Sequence, residues 1–319
     1  MKNKILGAHI AILVGNLIWG INNPITKSLI SGSISPYTLA FFRLAGACLL
    51  FWTASLFTTK EKVKKSDMIL LFFASIFGLV INQLLNTVGL SMTSPIDASI
   101  IVATLPIVTM ILAAIILKEP ITVMKVMGVL VGACGAVLLI SSNHPTTSGE
   151  SNLWGNLIVF SAAIAFGLYL TLFKAVISRY SATTCMKWMF LFATVISFPF
   201  SISGVMSTNY GAMTLNVYLE IGFVVVGATY IGYTFIQIAQ RHLRPTTLSM
   251  YNYLQPIVAS LVAVQMGIAS FGIEKAVAAI LVFAGVYIVT QSKSKAQLDA
   301  EKLTKQSRAK KLTTDIHPN

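Results

Sequence analysis

Acidic residues are scarce in this chain. Ten Asp and Glu stand against 23 Lys and Arg in 319 residues, and only 10% of the sequence is charged, where a soluble domain carries roughly 25%. With 55% of residues hydrophobic, that shortage excludes a water-soluble fold and identifies an integral membrane protein. Other chemistry is missing too. His9, His144, His242 and His317 are scattered away from any acidic or cysteine cluster, and neither H-E-x-x-H nor G-x-S-x-G occurs, so a membrane enzyme is not expected and no metal site is read. Cys48 and Cys134 fall within predicted spans and Cys185 at the inner end of one, which implies no extracellular disulfide framework. No G-x-x-x-x-G-K-[ST] loop is present, so ATP is not the direct energy source and no cofactor is expected. Thr87-Val88-Gly89 is only a fragment of a potassium filter, without the following Tyr-Gly, which argues against a channel.

What the chain does have is apolar length. Ten stretches of about 20 residues suit helices crossing roughly 30 Å of hydrocarbon. They fall near 6 to 30, 36 to 57, 67 to 90, 95 to 117, 123 to 141, 153 to 177, 184 to 204, 215 to 239, 246 to 267 and 272 to 291. The longest connection, Ser142 to Asn152, leaves almost no sequence for a soluble domain. Met1 to Lys4 and the apolar run after it resemble a signal peptide, but the run is long and no small-residue cleavage site follows, so a retained first helix is expected. The net charge of +13 follows the connections rather than a nucleic-acid surface. Lys2 and Lys4, Lys60 to Lys65, Lys118, Arg179, Arg241 and Arg244, and the tail from Lys293 to Lys311 occupy alternate connections, while the others hold no Lys or Arg. The positive-inside rule then puts both termini in the cytoplasm, with a bacterial inner membrane as the expected location.

The sequence also contains its own echo. Pro95, Ser99 and Pro106-Ile107-Val108 recur 150 positions later as Pro245, Ser249 and Pro256-Ile257-Val258, and the register continues through Lys125 and Lys275 to Gly135 and Gly285. At an offset of 147, Gly20 pairs with Gly167 and Lys27 with Lys174. Five spans per copy is an odd number, so the second copy enters the membrane from the opposite side. The expected fold is an all-α integral membrane protein with ten transmembrane helices in two inverted five-helix repeats. Inverted repeats offer a direct route to alternating access.

Polar residues deep in a bilayer are costly and therefore rare unless they face a cavity or a partner helix. In the first span Asn16, Trp19 and Asn23 share a helical face, with Asn22 adjacent, and Pro24 is expected to free a backbone carbonyl. Gln83 and Asn86 cluster with Asn82 in the third span; Tyr230, Tyr233 and Gln237 share a face of the eighth, and Tyr169 on the sixth is a further candidate. In the ninth, Tyr251, Asn252, Tyr253 and Gln255 surround Pro256, whereas the counterparts in the fourth, around Pro106, are Ile101, Val102, Ala103 and Leu105. All three prolines, Pro24, Pro106 and Pro256, are read as helix breaks, of the kind that mark transport sites or shape a kinked scaffold. These polar sets either line a substrate pathway or bond helices together. Arg43 is the one cation predicted well inside a span; Asp97 is a possible ion-pair partner or coupling group, and the alternative is that Arg43 binds a substrate carboxylate.

Trp19-Gly20, Ser35-Pro36, Arg43, Gly89-Leu90-Ser91 with Thr93-Ser94, Pro106, Lys118-Glu119-Pro120, Gly128 and Gly135 together resemble the EamA family of the drug/metabolite transporter superfamily. The second half departs from the pattern: Ile268-Ala269 stands where an acidic residue is usual, and Phe166-Gly167 replaces Trp-Gly. The resemblance implies a first repeat over 1–141, an extracytoplasmic linker over 142–152, a second repeat over 153–291 and a basic cytoplasmic tail over 292–319. It further implies a secondary transporter. The residues favour small polar metabolites such as amino acids, moved by an exporter or exchanger that acts as a monomer or homodimer in the lipid bilayer without nucleic acid. A multidrug-type cation/proton antiporter is the alternative, weakened by the lack of any Asp or Glu at mid-membrane; a channel ranks behind it.

Overall fold

The computed structural model describes residues 2–32, 34–93, 98, 101–142, 153–265 and 273–293, and every regular element among them is helical. Residues 143–152 of the expected 142–152 linker and residues 294–319 of the expected 292–319 tail lie outside the described residues. Helix α1 (Lys2–Gly32) is followed by α2 (Pro36–Leu56), α3 (Lys65–Met92), α4 (Leu105–Ile116) and α5 (Val123–Ser142). The second half contains α6 (Leu153–Leu172), a four-residue turn at Lys174–Ile177, α7 (Ala182–Ser207) and α8 (Leu215–His242). Helix α9 passes from Pro245–Met250 through a 3-10 turn at Tyr251–Tyr253 into Leu254–Gln265, and α10 spans Ile273–Gln291.

Six of these, α1, α2, α3, α6, α7 and α8, are long and apolar enough to cross a membrane; α4 and the apolar parts of α5 and α10 are shorter. Large apolar side chains such as Leu56, Ile69, Met206, Leu215 and Ile280 stand more than half exposed. In water such a surface would aggregate; in a bilayer it faces its own solvent.

Local chemistry sets the helix starts. Ser35 Oγ accepts from the Thr38 amide at 3.1 Å with Pro36 in the first turn, and Ser181 Oγ accepts from the Thr184 amide at 3.2 Å. Each cap satisfies a donor that the first helical turn leaves open. Pro106 and Pro256 fall near the starts of the helical segments Leu105–Ile116 and Leu254–Gln265, each preceded by a change in backbone conformation: a turn at Ala103 and Thr104, and the 3-10 turn at Tyr251–Tyr253. Proline is tolerated in a first helical turn because no partner is lost there. Pro24 corrects the expectation. It sits exposed inside α1, which continues through it to Gly32, so the helix absorbs the missing donor without breaking. The more unusual backbone is elsewhere. Helix α3 is π-helical at Ile76–Ile81 and α8 at Phe223–Ile231, and these segments begin 147 positions apart.

Packing follows a pattern of exchanged partners. Helix α5 packs on α10 and α2 on α7, while α1 meets α8 and α9 as α6 meets α3 and α4. The closest approaches depend on glycine. A Cβ on Gly285 would lie 2.5 Å from the Gly132 nitrogen, one on Gly20 2.6 Å from Val258, and one on Gly167 3.1 Å from Leu112, beside Val108. The main core, with Phe51, Tyr169, Phe190 and Tyr233, is formed by α1, α2, α3, α4 and α6–α8, and a second core around Met110, Val129, Tyr253 and Val289 joins α4, α5, α9 and α10.

Gly285→Val is expected to cost about 1–3 kcal/mol through backbone overpacking. Gly222→Ala, whose new methyl would meet nothing within 4 Å, should leave stability unchanged or raised. Thermal unfolding of the two variants in detergent checks the contrast.

Candidate functional site

Seven helices converge on one cavity of about 100 Å³, room for several waters or part of a small solute. Helix α1 contributes Trp19 and Asn22, α2 contributes Arg43, and α3 contributes Asn82, Gln83 and Asn86. Val102 and Leu105 come from the start of α4, Ala163 and Phe166 from α6, Tyr233 from α8, and Asn252 and Gln255 from α9. Val102 and Leu105 are the 150-residue counterparts of Asn252 and Gln255. One wall is therefore apolar where its counterpart carries amides.

The π-helical turn of α8 organises the polar side. Arg43, only 8% exposed, donates from Nε to Thr229 Oγ1 at 3.0 Å, and Thr229 itself donates to the Val224 carbonyl five residues back at 2.8 Å. Trp19 Nε1 donates to the neighbouring Ala228 carbonyl at 2.8 Å. Widening the helix into a π turn redirects backbone groups, which is why such turns recur at functional sites. The Trp19 ring meets Phe166 and Tyr233 edge-on, with centroids 6.0 and 5.3 Å apart. On α9, Gln255 Nε2 donates to Asn252 Oδ1 at 2.8 Å and to Asn16 Oδ1 at 3.0 Å, and Asn252 Nδ2 donates to the Ser249 carbonyl at 2.9 Å.

Not every polar group is satisfied. Gln83 is 2% exposed, and neither atom of its amide forms a hydrogen bond although Tyr233 lies beside it; the Asn22 carbonyl oxygen is likewise buried without a partner. Leaving such groups bare costs about 1–3 kcal/mol each unless a solute or water completes them. Among the described residues the ion pairs are Arg179–Asp67 and Lys125–Glu119, and no carboxylate pairs with Arg43. Asp97 and the Asn23 side chain lie outside the described residues.

Of the sequence candidates, Trp19, Asn22, Arg43, Gln83, Asn86, Tyr233, Asn252 and Gln255 line the cavity. Five others do not. Tyr169 is fully buried and donates to Gln237 Oε1 at 2.9 Å; Tyr230 packs on Phe51 with centroids 4.6 Å apart. Tyr251 hydrogen-bonds His9 at 2.8 Å, and Tyr253 lies against Gly132 of α5, where a Cβ would approach its ring to 2.7 Å. Thr229, Phe166, Val102, Leu105 and Ala163 are additions. Thr229 lies one turn before Tyr233 on α8, and Phe166 is the counterpart of Trp19, so spacing and repeat register carried signals for both.

Two further features tie the helix ends. Lys27 Nζ donates to the Leu90 carbonyl at 2.7 Å in the last turn of α3, and Lys174 Nζ donates to the Gln240 and Leu243 carbonyls, both at 2.6 Å, where α8 ends. Cations suit the bare carbonyls of helix C-termini. Asp67 accepts from Arg179 at 2.7 Å and from the Tyr180 hydroxyl at 2.8 Å, while Glu61 Oε2 accepts from the Ser181 amide at 2.9 Å and its hydroxyl at 2.8 Å. Partial burial pushes the Glu61 carboxyl up, but hydrogen bonds from Thr184 and Ser181 and the charge of Arg241 outweigh it and hold the carboxyl below its usual range.

An all-helical apolar bundle around a polar cavity is an architecture that membrane transporters use. The chain belongs to the EamA-like transporter family, whose model matches residues 6–141 and again 153–291. An uncharacterized transporter of Archaeoglobus fulgidus is 25% identical over 260 residues, covering 82% of this chain and 90% of its own. The uncharacterized transporter YyaM of Bacillus subtilis is 24% identical, covering 89% and 93%, and a WAT1-related protein of Arabidopsis thaliana is 23% identical, covering 85% and 75%. A crystal structure described only as that of a protein shares the fold, with a TM-score of 0.72 at 18% identity over 95% of this chain and 99% of the other.

Thr229→Val should destabilise the protein by about 1–3 kcal/mol by stripping Arg43 Nε of its acceptor, while Thr229→Ser stays near wild type; thermal unfolding compares them. The lowered Glu61 carboxyl stabilises the fold at pH above its unfolded value, roughly 4.3, and that contribution disappears as pH falls through the folded value. Glu61→Gln is accordingly expected to melt below wild type at pH 7, and the difference should shrink as pH falls through the folded value.

Proposed function

We propose that the protein is a secondary transporter of small polar metabolites, amino acids or related solutes, that works by alternating access as an exporter or exchanger. The observation that carries this reading is Arg43: a buried guanidinium whose Nε contacts a neutral hydroxyl, facing a cavity lined by amides. A solute carboxylate would complete it in bidentate geometry. The amides of Gln83, Asn22 and Asn252 suit the donors and acceptors of a polar solute, and Trp19, Phe166 and Tyr233 form an aromatic wall. No Asp or Glu lines the cavity among the described residues, which weighs against a cation/proton antiporter.

Alternating access rests on reading 1–141 and 153–291 as two inverted five-helix repeats, ten spans in all. Three observations support it. The packing partners exchange between halves, the π-helical segments share a register, and Lys27 binds the end of α3 as Lys174 binds the end of α8. In the inverted arrangement those two lysine contacts lie on opposite membrane faces. Releasing one while the other holds opens the cavity to one side at a time. A bacterial inner membrane with cytoplasmic termini, and a monomer or homodimer, complete the proposal.

Counterflow into vesicles, with amino acids and their carboxamides, which lack the carboxylate, as test solutes, examines this directly. Arg43→Gln should reduce carboxylate-solute flux by roughly 10–100-fold, the worth of a charged hydrogen bond, and leave any amide flux unchanged. Wild-type rates for carboxylate solutes in Arg43→Gln would contradict it.

A further inference from the structure

A second concavity, distinct from the central cavity, opens between the first turns of α1 and the last turns of α8. Its volume is about 540 Å³, within the roughly 300–1,000 Å³ of ligand pockets. Two kinds of side chain divide it. Ile10 and Val14 of α1 and Phe235 and Ile238 of α8 form an apolar trough, while Lys4, Arg241 and His242 form one end. On the membrane reading that division falls at one bilayer surface, because the two membrane-capable helices have their ends there, at Lys4 and His242. The trough faces hydrocarbon and the basic end meets the headgroups.

The lining of the basic end holds cations and no carboxylate among the described residues. The positive charges of Arg241, Lys4 and Lys174 all bear on His242. Glu61, outside that lining, offsets part of the Arg241 charge and has its Oε2 engaged by Ser181. Arg241 Nε is buried without a hydrogen-bond partner. Like charges gathered beside an apolar trough attract an anion that carries an apolar chain, and a phospholipid supplies both a phosphate and an acyl chain.

We infer that this crevice binds one anionic phospholipid, its phosphate on Arg241 and Lys4 and an acyl chain along Ile10, Val14, Phe235 and Ile238. The inference rests on the membrane reading of α1 and α8 and is independent of which solute the central cavity carries. Gly7 lines the trough and a Cβ there meets nothing within 4 Å, so a side chain added at this position enters the crevice.

Delipidated full-length protein in detergent is titrated with phosphatidylglycerol, phosphatidylcholine or inorganic phosphate, and the melting temperature is read. Phosphatidylglycerol is expected to raise it saturably while the other two do not. Arg241→Gln and Gly7→Leu, each eluting as a single folded species, should both weaken the apparent phosphatidylglycerol affinity by about tenfold or more, whereas Lys302→Gln/Lys305→Gln in the basic tail should not. Equal stabilisation by phosphatidylcholine, full stabilisation by phosphate alone, or an undiminished effect in Gly7→Leu overturns the assignment. Because melting needs no transported solute, these outcomes stand apart from failure of the transport proposal.

Discussion

A guanidinium inside an apolar helix bundle must be given oxygen, or the bundle must give way; the cost of leaving one bare in a membrane is at least several kcal/mol. Arg43 meets this constraint through Thr229, whose position depends on the π-helical turn of α8 and whose own proton goes back to Val224. The same turn supplies the Ala228 carbonyl to Trp19. One distorted stretch thus holds α1 and α2 against α8 and sets the aromatic wall and the cation of the cavity. The distortion gives up regular hydrogen bonding where the site needs free polar groups, a trade common at functional sites.

Around this centre the contacts come in related pairs. Gly20 lets α1 close on α9 near Val258, and Gly167 lets α6 close on α4 near Val108; Gly128 and Gly285 let α5 and α10 meet backbone to backbone. Small residues at crossings are how helices approach in lipid, where apolar burial between helices provides little drive. Chemistry diverges within this shared frame. Asn252 and Gln255 give one wall amides where Val102 and Leu105 keep the other apolar. On the proposed inverted reading, the frame supplies the motion and the divergence supplies selectivity.

Much of the cavity was legible because intramembrane amides and a lone arginine are rare and have few uses. Asn22, Gln83, Asn86, Asn252 and Gln255 could be found by polarity alone, and Arg43 by its isolation. The tyrosines were misplaced for a physical reason. Helical spacing puts Tyr230 and Tyr233 on one face, but the π-helical segment continues to Ile231, and the wider turn sends Tyr230 to Phe51 while Tyr233 reaches the cavity. Tyr253 ends a 3-10 turn that aims it at α5 instead. Nothing in residue type announces either distortion. The tether of Asp67, Arg179 and Tyr180 joins positions more than a hundred residues apart, which spacing along the chain does not reveal.

The central claim is that this cavity is the substrate site and is reached from each side in turn. With Cys48, Cys134 and Cys185 replaced by serine, a single cysteine at Asn86 can be challenged with a membrane-impermeant thiol reagent from either face of sealed vesicles. Labelling from both faces, slowed by transported solute, is the predicted result. Labelling from one face only under every condition, or labelling from both that no solute slows, would contradict the account.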